Sequence, residues 1–146
     1  MNGWLKRKKQ VREGMFKKIF TPQEANRRLP LVKKIVTDIL LKGKRLRKIL
    51  EKNRSDEIPV ECHNLQSEIE ELMTELEDLG CYYKDWNFEY GLVDFPARIE
   101  GREVLLCWRS DEPDLRWYHG FEDGYMGRKE IPSHLLSDPR TPFHSN

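Results

Sequence analysis

The sequence lacks any long apolar run: Lys33, Lys34, Asp38, Lys42 and Lys44 break up its richest stretch, well short of the roughly 18 residues of a membrane helix. A soluble chain without membrane partners is therefore expected. Lys6 to Lys9 is basic enough to open a signal peptide, but no apolar stretch of roughly 7 to 15 residues and no small-residue cleavage site follow it, so secretion is not expected. Cysteine is scarce. Cys62, Cys81 and Cys107 are odd in number and form no Cys-x-x-Cys pair, which argues against a disulfide framework and against a structural zinc site. They read as reduced thiols in a cytoplasm. Aromatic residues are absent from 21 to 80, and Lys and Arg are absent from 55 to 80.

What is present is sorted. The net charge of +1 is the sum of blocks of +6 (residues 1–20), +8 (21–54), −9 (55–80) and −4 (81–146). Residues 1–14 hold five of the seven basic residues of the first block and few apolar positions, so they read as a disordered basic extension. Met15 opens the first well-patterned segment, which makes it an alternative start to Met1. A single domain is expected over 15–131, followed by a flexible tail over 132–146.

Thr21, Pro22 and Glu24 form a helix start: an N-cap, a proline at the first helical position and a capping-box glutamate. Pro30 predicts a short helix over 22–29 that kinks or restarts, then a long helix over 31–53 with Val32, Val36, Ile39, Leu46 and Leu50 on a heptad seam and Gly43 filling the missing position. A second helix carries Cys62, Leu65, Ile69, Leu72, Leu76 and Leu79 at steps of three and four, and Gly80 supplies its C-terminal cap. The short link between them requires an antiparallel, coiled-coil-like hairpin, with the basic helix against the acidic one.

Beyond Gly80, where twelve of the fifteen aromatics lie, the pattern turns to strands. Cys81–Tyr83 suits a short strand. Strands over 92–99 and 102–109 flank the two-residue turn Glu100-Gly101, pairing Ile99 with Arg102, Arg98 with Glu103, Phe95 with Leu106 and Asp94 with Cys107. A third strand is expected over 115–119, then a loop. The fold class is α+β: a two-helix hairpin packed on a small antiparallel β-meander.

Alternation gives the sheet a core face (Val93, Phe95, Ala97, Val104, Leu106, Trp108) and a mixed face (Leu92, Asp94, Pro96, Leu105, Cys107, Arg109). A five-residue connection adds Trp117 and His119 to the mixed face, whereas a one-residue slip would substitute Arg116 and Tyr118. Asp94, Cys107 and His119 then form a candidate cluster. Cysteine, imidazole and carboxylate are the minimal set for an activated thiol, and all three types also ligate zinc. The simpler reading of Cys107 is a small hydrophobe in a buried strand. Arg128 after Gly127 suits a carboxylate or phosphate, but Glu112 and Asp123 are equally good partners. Gly120, Gly124 and Gly127 match no phosphate loop. His63, His134 and His144 are assigned no role.

These strings resemble a known family. Phe20-Thr21-Pro22-Gln23-Glu24-Ala25-Asn26 with Leu29-Pro30, Gly91 to Pro96, Gly101 to Trp108, Glu112-Pro113, Tyr118-His119 and Gly127-Arg128 are similar to the prokaryotic family known as domain of unknown function 2203, over about 16 to 131. That family carries no established activity. The resemblance implies a bacterial or archaeal cytoplasmic setting and directs attention to Asp94, Cys107, Trp108, Glu112, His119 and Arg128.

The first functional reading is a non-enzymatic interaction or small-ligand module without a cofactor. Its partner would be a protein or a small anion, its candidate residues Asp94, Cys107, Arg109, Glu112, His119 and Arg128, and a homodimer is one form it can take. The alternative is an enzyme or metalloprotein working through Asp94, Cys107 and His119. Nucleic-acid binding through Lys42, Lys44, Arg45, Arg47 and Lys48 is disfavoured, because the acidic helix compensates them and no aromatic interleaves them.

Overall fold

A computed structural model of the protein describes residue 16 and residues 18–136. The basic extension and the question of the start site lie outside the described residues, as does most of the expected tail. Helix α1 spans Pro22–Lys52 and α2 spans Val60–Leu79. The sheet follows as β1 (Tyr82–Tyr83), β2 (Leu92–Ile99), β3 (Arg102–Arg109), β4 (Trp117–His119) and β5 (Lys129–Glu130), an antiparallel meander in that order. A single helical turn, α3 (Ser133–Leu136), occupies the start of the expected tail and sets Leu135 and Leu136 against the core. Among the described residues no helix is long and apolar enough to cross a membrane.

Helix α1 starts where its sequence dictates. The Thr21 hydroxyl accepts from the Glu24 amide at 3.1 Å, and the Glu24 carboxylate accepts from the Thr21 amide at 3.0 Å. The expected restart at Pro30 does not occur: α1 runs from Pro22 to Lys52 with Pro30 inside it. Pro30 lies on the exposed face of α1, where water can meet a backbone carbonyl that a proline deprives of its donor. Asn26 itself ties α1 to the sheet, since its side chain accepts from the Leu115 amide at 2.9 Å and donates to the Leu115 carbonyl at 3.1 Å. Leu115 is thereby withheld from the sheet ladder, which is why β4 starts at Trp117 rather than at 115.

The helices run antiparallel, as the cross-pairs Arg45–Glu61 at 3.0 Å and Lys42–Glu68 at 2.6 Å require. Exposed pairs of this kind set direction more than stability. Gly80 caps α2 at φ 98°. The seam position left empty by Gly43 is filled from the sheet side: the buried Phe88 ring sits where a Gly43 Cβ would be, and the Val36 side chain fills the same space at Gly91.

The β2–β3 register is the one that alternation and the turn predict, with Asp94 opposite Cys107 and Arg98 opposite Glu103. Glu100 and Gly101 both have positive φ, 52° and 80°, as a tight two-residue hairpin turn demands. The core face packs under the helices, with Phe20 edge-on to Phe95 at 5.4 Å. The other face is buried too along its centre, for Asp94, Pro96, Leu105, Cys107 and His119 are all covered.

Candidate functional site

The second face of the sheet carries the site. β4 pairs Trp117 with Cys107 and His119 with Leu105, the five-residue connection rather than the slipped one. Three neighbouring strands thus supply Asp94, Cys107 and His119, whose ligating atoms all lie within 4.8 Å of one another. Each residue is 1 to 2% exposed. The cluster is a polar knot inside the fold.

Its hydrogen bonds fix its chemistry. His119 Nδ1 is 2.7 Å from the Gly120 carbonyl, which only accepts, so Nδ1 carries a proton and donates. The Gly120 peptide is held in turn by the Asp123 carboxylate, 3.2 Å from its amide. Nε2 then faces Asp94 Oδ1 at 3.3 Å. With a proton there the ring is imidazolium; without one, its lone pair opposes a carboxylate. Burial alone disfavours the charged ring, but the bonds from Asp94, Cys107 and the Gly120 carbonyl outweigh it, and the His119 pKa is pushed up to about 10.

This raised value makes stability depend on pH. In the metal-free protein the His119 contribution is fully present below its ordinary value of 6.5 and is lost as pH rises through about 10. The urea midpoint is expected to fall over that interval and to fall less in His119→Gln. A wild-type midpoint that is flat or rising there contradicts the imidazolium assignment.

Lys84 is a member of the site that the sequence did not reveal. Its ammonium lies 3.0 Å from Asp94 Oδ2, an ion pair without the angle of a hydrogen bond, so Oδ2 is buried with no aligned donor. Lys84 is 41% exposed along its side chain and forms the outward edge of the cluster. Its place follows from β1, where Tyr82 pairs with Asp94 and alternation sets Lys84 on the same face two residues on.

The remaining candidates surround the cluster instead of entering it. Arg128 forms a two-point pair with Glu112, at 3.0 and 2.8 Å, and lies over the rings of Tyr125 and Trp117. Glu112 also accepts from the Arg109 amide at 2.8 Å. Arg109 is clasped by Asp111 and faces Tyr90 and Tyr125. Arg128 and Arg109 are therefore committed to internal partners. Aromatic rings close the opposite side, where Phe16 contacts both Tyr82 and Phe121. A cleft of about 740 Å3 beside Ile99, Arg102, Tyr118 and Lys129 contains none of the six candidates.

This burial weighs differently on the two chemistries open to the cluster. A nucleophilic thiol must meet its substrate, and Cys107 is covered. A metal ion needs only a closed set of ligands. In a tetrahedral zinc site with bonds of about 2.0 to 2.3 Å the ligand atoms lie roughly 3.3 to 3.6 Å apart. The Asp94–His119 pair is already at 3.3 Å, and the Nδ1 donation to a backbone carbonyl is the outer-shell bond that orients a metal-binding imidazole.

Comparison with known proteins gives a family model, described as uncharacterized conserved protein (DUF2203), that matches residues 18–131. No curated protein and no solved structure matches the chain.

Proposed function

We propose, from the premise that this chain belongs to the DUF2203 family of uncharacterized conserved proteins, that it is a metal-binding protein holding one divalent transition-metal ion through Asp94, Cys107 and His119. The observation that carries this is the convergence of a carboxylate oxygen, a thiol sulfur and an imidazole nitrogen from three strands within 4.8 Å, all buried. The mixed donor set suits zinc or another borderline-soft ion in preference to magnesium or calcium, which take oxygen alone. Binding replaces the protons on Nε2 and on the Cys107 sulfur, and His119 keeps its Nδ1 bond throughout. The proposed setting is a prokaryotic cytoplasm, where the three free thiols, Cys62, Cys81 and Cys107, stay reduced.

Zinc titration of the chelator-treated protein tests the reading. One zinc per chain, with dissociation in the submicromolar range, is expected. Failure to retain zinc in a competition with a weak chromophoric chelator, by protein whose circular dichroism is intact, sinks the proposal.

A further inference from the structure

With Asp94, Cys107 and His119 each 1 to 2% exposed, an ion reaches the proposed site only when part of the fold opens, and the hold on each ligand's strand decides which part. Asp94 and Cys107 stand on β2 and β3, which pair along their whole length and carry Val93, Phe95, Leu106 and Trp108 into the core. His119 stands on weaker ground. β4 pairs with β3 only over Trp117–His119, and β5 pairs with β4 over Lys129–Glu130. Of residues 116–130, His119 is the one that is buried, so this segment lifts away without uncovering any fully buried apolar side chain. Strand β1 is as short as β5, but the buried Cys81 and Tyr83 pin it and it carries no ligand.

Both ends of the segment are fixed. Leu115 is buried and tied twice to Asn26, at 2.9 and 3.1 Å, and the amide of the buried Ile131 donates to the Arg116 carbonyl at 2.8 Å. Between these hinges, apart from His119 itself, the ion pair that ties the segment back to β3 is Arg128 with Glu112. Glu112 is anchored on the end of β3, where its carbonyl accepts from Trp108 Nε1 at 2.9 Å and its carboxylate from the Arg109 amide. The ring contacts of Phe121 with Phe16 and of Tyr125 with Arg109 join side chains that are only half-buried.

We infer that residues 116–130 are a flap, hinged at Leu115 and Ile131 and latched by Arg128 on Glu112, whose opening admits the metal. The bound ion then locks the flap shut by joining His119 to Asp94 and Cys107 on the β2–β3 hairpin. Resting on the metal reading above, this device makes Glu112 and Arg128 residues that set the rate of metal exchange without touching the ion.

The test mixes the chelator-treated full chain with cobalt(II) and follows the thiolate-to-cobalt absorbance band. Glu112→Gln keeps an oxygen for the Arg109 amide but loses the charge that holds Arg128, and it is expected to take up cobalt about tenfold faster than wild type, the worth of a hydrogen bond between charged groups. Gly43→Ala, which strains the helix side of the fold, is expected to leave the rate as it is, because the opening is local. In wild type, zinc is expected to slow amide hydrogen exchange over 116–130 far more than over β2 and β3. An unchanged rate in Glu112→Gln, an equal acceleration by Gly43→Ala, or exchange over 116–130 that bound zinc does not slow overturns the inference and leaves the metal reading standing. If cobalt gives no thiolate-ligated spectrum at all, the metal reading and this inference fall together.

Discussion

Alanine at Asp94, Cys107 or His119 is expected to weaken zinc binding by more than a hundredfold, while Cys62→Ser and Cys81→Ser leave it unchanged. Loss of an outer-shell partner of a metal site costs about 10 to 100-fold, and each of these three residues supplies a bond to the ion itself. The contrast among cysteines is the informative part. Cys81 is buried against the Leu76 carbonyl, and desolvation pushes its thiol up to about 12, so a thiolate there is strongly disfavoured. Cys62 lies on the buried face of α2, and burial raises its thiol as well. Among the described residues Cys107 is the cysteine whose sulfur converges with a carboxylate oxygen and an imidazole nitrogen, all within 4.8 Å. Affinities from chelator competition check the pattern, and a Cys107→Ser protein that binds within a few-fold of wild type contradicts it.

The second large effect concerns the fold that carries the site. Phe88→Ala is expected to cost about 3 to 5 kcal/mol, the range for emptying a buried aromatic position. Phe88 is fully buried and has φ 59°, a backbone state that bulky residues adopt only when their surroundings enforce it. What enforces it is the notch over Gly43 in α1, where the ring occupies the space of a missing Cβ. Gly43→Ala should therefore cost about 1 to 3 kcal/mol by overpacking, despite alanine's better helix propensity. The double variant should cost clearly less than the sum of the two single ones, because the small side chain at 88 removes the clash. Urea unfolding of the four proteins measures this coupling, and strict additivity would contradict the notch.

The residues that make these predictions possible differ in how plainly the sequence declared them. Helix ends were legible wherever a side chain closes its own backbone, as Thr21 and Glu24 do, or where a glycine takes the cap, as at Gly80. The β2–β3 register was legible because the turn and the alternation fix it together, and a shift by one residue would bury charge. Those two facts, with a five-residue connection, bring Asp94, Cys107 and His119 together on one face from the sequence alone. That α1 continues through Pro30 without a restart was not legible, because what a proline costs a helix depends on its surroundings, and this one lies on the exposed face. In α2 Met73 joins the buried residues while the expected seam residue Leu72 is only partly covered, since the helix packs on the sheet as well as on α1. β5 was invisible because Lys129 and Glu130 are polar and exposed, and only their pairing with Trp117 and Tyr118 makes them a strand. Lys84 was missed for a related reason: two residues of β1 give no hint of which strand they join.

Zinc K-edge X-ray absorption of the loaded protein tests the central claim most directly. The account predicts one sulfur at about 2.3 Å among nitrogen and oxygen ligands at about 2.0 to 2.2 Å, with the sulfur lost in Cys107→Ser. A first shell of nitrogen and oxygen alone in the wild-type protein, or a sulfur that survives Cys107→Ser, would contradict it.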